Sequence, residues 1–235
     1  MGAYVSFKQE DMTRHGKNTS GLVYSAHAKI TDIEARAEEM IKTISDTSWI
    51  NRLGAVEKRT FEARSNRTIS KLVNLIVSRV EDEISAEFGK FMISDSAQRF
   101  LESNFRHTKL PLAELLKEKI TGNPGFDFHT ESSSNLIAFG EAKYSGSSTP
   151  HSRAIKQIVE FITLEKDSAE LIIIKNFVSA GAVQKAINGD KAYVAAFSIN
   201  GMDPESIINN ALKSTAIDPL LAFPELYMIG IEVDA

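Results

Sequence analysis

The apolar pattern of this chain changes period at Gly122-Asn123-Pro124-Gly125. Upstream of that turn signal, apolar residues recur at intervals of one to four, the spacing of a buried helical stripe. Downstream they fall into short alternating runs that suit strands, separated by further helical patterns. A chain that switches in this way has to bury helices against a sheet. At 235 residues it is long enough to do so in one large domain.

Residue by residue, the expectations are as follows. Thr31-Asp32-Ile33-Glu34 reads as a capping box ahead of a helix carrying Ile33, Ala37, Met40, Ile41 and Ile44. Arg52, Lys58, Arg59, Arg64, Arg67 and Lys71 then stand against Glu57 and Glu62, which fits a solvated helix face or a contact surface for phosphates or another subunit. Residues 69–91 are predicted as one long amphipathic helix, stopped by Ser94-Asp95-Ser96, with a second helix over 97–104. Leu110-Pro111 opens a short helix to Lys119. Residues 126–129 and 136–144 are predicted as a strand hairpin around the polar loop 130–135, followed by a flexible loop at Gly146-Ser147-Ser148. Thr149 and Pro150 start a helix to Lys166, and 170–175, with three isoleucines in a row, is predicted as a buried strand. A helix over 180–187, a strand over 192–199, a helix from Asp203-Pro204 to Lys213 and a strand over 226–233 complete the chain. The fold class expected is α/β, a mixed central sheet flanked by helices. A helical N-terminal extension (1–66) precedes the main domain (67–235).

Composition narrows the function classes. No apolar run approaches the ~20 residues a membrane-spanning helix needs. The chain has no cysteine, hence no disulfide, thiolate metal site or cysteine nucleophile. With no secretory leader pattern, a cytoplasmic location is expected. A net charge of −4 argues against coating nucleic acid by bulk charge, so any DNA contact must come from a local basic patch or from a partner that brings the DNA.

Against that background the segment GFDFHTESSSNLIAFGEAKYS carries the chemistry. Side chains alternate across a strand, so Glu141 and Lys143 share a face with Phe139, while Ala138, Gly140 and Ala142 leave the other face open to a close-packed helix. On the preceding strand Asp127 and His129 are expected on one face and Phe126 and Phe128 on the other. Hairpin pairing brings Asp127 within a few residues of Glu141. Two carboxylates so placed raise each other's pKa unless a cation lies between them, and hard oxygen ligands suit Mg²⁺ or Mn²⁺. Such an ion would serve phosphodiester hydrolysis, with Lys143 orienting or deprotonating water or stabilising the transition state. A Glu-x-Lys pair on an amphipathic strand is also, often, simple exposed alternating charge.

Asp127, Glu141 and Lys143 together resemble the signature of the PD-(D/E)xK, or restriction-endonuclease-like, nucleases. The resemblance spans residues 69–175 and departs from the common pattern in having Phe126 where a proline often precedes the aspartate. It implies a core ordered as helix, three-stranded meander, helix, strand, and a metal-dependent endonuclease acting on DNA. It also implies an acidic metal ligand from the first core helix. Glu87 matches best, with Glu83 one turn earlier and Glu114 on the shorter helix as alternatives. Gln157 with Phe161 resembles the Gln-x-x-x-Tyr accessory motif of RecB-type members with tyrosine replaced, and Arg153 and Lys156 would contact phosphates. A narrower similarity, Gly-Phe-Asp ahead of Gly-Glu-x-Lys-Tyr, is to the nuclease-subunit family of the Hachiman antiphage system, which implies a helicase partner. A nuclease-fold scaffold without catalysis and an RNA nuclease are the competing readings.

Overall fold

The computed structural model describes residues 4–77, 84–117, 125–201 and 203–233. Among the described residues seven strands form one sheet: β1 (Tyr4–Gln9), β2 (Leu22–Ile30), β3 (Thr108–Lys109), β4 (Phe128–Glu131), β5 (Ile137–Lys143), β6 (Ala192–Ile199) and β7 (Glu225–Val233). Their order is β1-β2-β7-β6-β5-β4-β3. The four central strands β2, β7, β6 and β5 run parallel, while β1, β4 and β3 pair antiparallel at the two ends, so the sheet is mixed.

Helices cover both faces. α1 (Ile33–Ser45), α2 (Ala55–Val77), α3 (Ala86–Phe105) and α4 (Ala113–Lys117) lie on one side. α5 (His151–Thr163), α6 (Lys166–Ile174), α7 (Ala180–Ile187) and α8 (Pro204–Lys213) lie on the other. Strand alternation sorts β6 between the two layers: Ala192, Val194 and Ala196 join the first core, Tyr193, Ala195, Phe197 and Ile199 the second. Because both faces are covered, β6 is buried along its whole length, as parallel strands usually are. Full burial of each large apolar side chain contributes about 1.5–3 kcal/mol before the entropy of ordering the chain is subtracted. Among the described residues no helix is long and apolar enough to cross a membrane.

Several sequence expectations need correcting. The N-terminal region is not all helical, since β1 and β2 are strands of the central sheet, β2 pairing along its length with β7. The helix expected over 69–91 is two helices. α2 is described to Val77, residues 84–85 are not helical, and α3 starts where Ser85 accepts the Phe88 amide at 3.2 Å; residues 78–83, with Val80 and Glu83, lie outside the described residues. α3 then runs straight through Ser94-Asp95-Ser96, because Asp95 is buried and paired with Arg36 and Arg99 instead of breaking the helix. Residues 170–175 are not a strand. α6 is helical to Ile174, which turns Glu170 and Ile174, one turn apart, inward and leaves Ile172 exposed. Thr149 does not cap α5: its hydroxyl bonds with Asn200 instead. α5 begins at His151 and ends at Thr163, short of Lys166. The loop after β5 is tied down, Ser145 N–H donating to Ser198 Oγ at 3.0 Å and Asn200 Nδ2 to Ser148 O at 2.8 Å. The turn at 122–124 and the end of the helix expected to Lys119 lie outside the described residues.

Candidate active site

The hairpin forms, but with its first strand shifted from the expected 126–129: β4 takes in Thr130 and Glu131, which were expected in the loop, with Phe128 opposite Gly140 and Glu131 opposite Ile137. Its turn is set locally: Asn135 takes the left-handed conformation (φ 55°) that asparagine tolerates, and Ser132 Oγ accepts the amides of Ser134 and Leu136, each at 3.3 Å. Asp127 stands just ahead of β4, where the ladder ends. Its N–H donates to Gly140 O at 2.8 Å, and its carboxylate Oδ2 accepts the Ala142 amide at 3.0 Å. The chain leaves regular strand geometry at this point, and the two phenylalanines part company. Phe128 packs on Gly140 under α3, whereas Phe126 turns to Phe139 and Phe161 in the opposite layer. The expectation that they share a face is thereby corrected.

Glu141 lies on the fully buried stretch of β5, with Lys143 two residues on the same face donating to its Oε1 at 2.6 Å. Glu141 Oε2 is buried and makes no hydrogen bond among the described residues. On the other side of the pair, Lys90 of α3 reaches Asp127 Oδ1 at 2.6 Å. Burial is the first cause acting on Glu141 and the Asp127 charge adds to it. Lys143 and Lys90 pull the other way, and the balance pushes the Glu141 carboxyl up to about 8. For Lys90, burial alone would lower the ammonium. Asp127 first, then Glu141 and Glu114, outweigh it and hold Lys90 above its ordinary value. Two carboxylates and two ammonium groups therefore share one site at the end of the antiparallel ladder.

This donor set fits a hard divalent cation in one respect: a buried carboxylate oxygen with no hydrogen bond sits beside a second carboxylate. No group of three or more His, Cys, Asp or Glu gathers among the described residues, so a cation held by Asp127 and Glu141 would complete its shell with water and substrate oxygens, as Mg²⁺ commonly does.

Behind the pair a second buried cluster braces the chain. Glu170 of α6 accepts from the Phe126 amide at 3.0 Å, meets His129 Nε2 at 2.6 Å and is ion-paired with Lys117. Burial pushes the Glu170 carboxyl up, but His129 and Lys117 outweigh it and keep it below the usual range. Burial holds His129 down despite that contact. His129 therefore belongs to the bracing cluster of the α6 layer.

The remaining predicted residues are distributed unevenly. Glu87 is exposed on the first turn of α3, with no described contact to Asp127 or Glu141. Glu114, buried on α4, is the helix glutamate whose charge acts on Lys90. Gln157 is half-buried on α5 beside the buried Ala154 and Ile158, and no described contact joins it to Asp127, Glu141 or Lys143. Arg153 and Lys156 are exposed on the same helix, and neither is ion-paired among the described residues. His151 is half-buried with its ring centroid 5.8 Å from that of Phe197. Sequence reasoning passed over Lys90, although its neighbour Gly89 was a signal: a small residue ahead of a lysine lets the helix close on Tyr144.

No protein-family model, curated protein or solved structure matches the chain.

Proposed function

We propose that the chain is a metal-dependent nuclease of the PD-(D/E)xK type that hydrolyses phosphodiester bonds of DNA. The observation that carries this reading is the meeting of Asp127 and Glu141 at the ladder end, with Lys143 on Glu141 Oε1 and the buried Oε2 without a hydrogen bond. The order α3, β3-β4-β5, α5, β6 supports it, since it follows helix, antiparallel meander, helix and parallel strand, with α4 inserted between β3 and β4 and α6 and α7 inserted before β6. Asp127 falls just ahead of the second meander strand and Glu141-x-Lys143 on the third.

In this mechanism Asp127 and Glu141 would hold a Mg²⁺ or Mn²⁺ ion, which when bound would supply Lewis acidity toward a phosphate oxygen and acidify water. Lys143, fixed on Glu141, orients the attacking water or stabilises charge on the phosphoryl oxygens. Water forms a new P–O bond, the ester P–O bond breaks, and the leaving oxygen takes a proton. Arg153 and Lys156 supply exposed positive charge for the backbone of the substrate. The net charge of −4 favours a further subunit that presents the DNA, and a helicase within an antiphage system is the narrower form of that proposal.

A second reading, a nuclease-fold scaffold without catalysis, draws on the two ion pairs that already neutralise both carboxylates. Incubating the purified chain with supercoiled plasmid DNA and with labelled RNA, with Mg²⁺ or Mn²⁺, alone and with proteins co-purified from the source cells, separates the possibilities. Nicking of DNA that Glu141→Gln and Lys143→Ala each remove supports the nuclease. Cleavage retained by the double variant overturns the site, cleavage confined to RNA reassigns the substrate, and no cleavage in any mixture favours the scaffold.

A further inference from the structure

Lys90 has no part in the chemistry set out above, yet it is ion-paired with Asp127, Nζ to Oδ1 at 2.6 Å. α3 is built to deliver it. Ser85 caps the helix four residues after which Gly89 backs onto Tyr144, where a Cβ would stand 2.3 Å from the ring. With no side chain at 89, α3 closes on the residue after β5 and the next residue lies over the carboxylate. An ammonium at this distance uses the same oxygen, and the same negative charge, that a divalent cation would use. Its side chain keeps 27% of its surface exposed, so the flexible stem has room to withdraw toward solvent.

Resting on the nuclease reading, we propose that Lys90 is a built-in counter-cation that competes with divalent metal for Asp127 and thereby sets the metal affinity of the site. It is a positioning residue: it keeps Asp127 and Glu141 together before metal arrives and gives way when it does.

The experiment is Mn²⁺ titration of the full chain, followed by the electron-spin-resonance signal of free Mn²⁺ and by calorimetry, for the wild type, Lys90→Met and Lys90→Arg. Removing a unit charge a few ångströms from a bound dication tightens binding by roughly tenfold or more, so Lys90→Met is expected to bind Mn²⁺ at least that much tighter. Lys90→Arg, which keeps the charge, stays near wild type. Without metal, Lys90→Met melts lower than wild type, and saturating Mn²⁺ restores it. Equal or weaker binding by Lys90→Met overturns the proposal while leaving the nuclease reading intact. Binding by Lys90→Met alone supports it, and binding by none of the three proteins overturns both. Should Lys90→Met fail to fold, Lys90→Gln, which can still donate to Asp127, is titrated in its place with the same criteria.

Discussion

The Glu170 carboxylate accepts the Phe126 amide at 3.0 Å, although the two residues are 44 positions apart in sequence. Lys117 reinforces the contact by donating to Phe126 O at 3.0 Å while paired with the same carboxylate. A helix from one layer thus holds the backbone immediately before Asp127, at the point where β4 has not yet begun.

Replacing Glu170 by alanine leaves a largely buried Lys117 ammonium and the Phe126 amide without their acceptor. Breaking a buried pair on one side typically costs about 3–5 kcal/mol, and Glu170→Ala is expected in that range by denaturant unfolding. Amide exchange at Asp127 and Phe128 should accelerate more than at β6. A loss below about 1 kcal/mol would mean that the cluster does not brace the site.

Glu141 is expected to work against stability. Its carboxyl is wholly buried and raised, whereas its partner Lys143 keeps a solvent route along its stem. Glu141→Gln removes the cost of desolvating a charge without stranding Lys143, and near pH 8 it should stabilise the metal-free protein by about 1–2 kcal/mol while ending cleavage. Calorimetric melting alongside the plasmid assay tests both halves.

Gly140→Ala addresses the packing that lets α3 approach β5. An added Cβ would lie 2.3 Å from the ring of Phe128, which is fully buried. Overpacking of this kind typically costs about 1–3 kcal/mol. Unfolding midpoints should fall accordingly, and a neutral result would require Phe128 to have another place to go.

His107 gives a pH dependence of defined sign. Its ring is buried between Thr130 Oγ1 at 2.8 Å and the Tyr227 hydroxyl at 3.1 Å, and burial lowers it to about 4. The folded value lies below the unfolded one, so the neutral ring's contribution is complete above about pH 6.5 and is lost as pH falls toward 4. Between about pH 7 and about pH 4 the wild type should lose roughly 2 kcal/mol more than His107→Gln, measured by urea unfolding at each pH. Equal slopes would remove His107 as the cause.

What the sequence revealed was whatever is decided locally. The hairpin follows from alternation and from Ser132 and Asn135, and the shared face of Glu141 and Lys143 follows from their spacing. The triple isoleucine misled because β-branched residues favour strands, whereas in the folded chain the position of Glu170, held by three partners on other elements, favours a helix. Lys90 reaches Asp127 from α3 and the Glu114 charge on α4 acts on Lys90, and no spacing within either helix announces it. The separation of Phe126 from Phe128 depends on where the β4 ladder ends, which periodicity alone does not fix.

The bond from the Ala142 amide to Asp127 gives the two carboxylates different histories to expect. Asp127 closes the end of the ladder and would be kept by any descendant that needed the fold, active or not. Glu141 does the fold no service and carries a desolvation cost. An aspartate surviving at 127 in a diverged copy would say little about what that copy does. A glutamate surviving at 141 would mark continued selection for the chemistry.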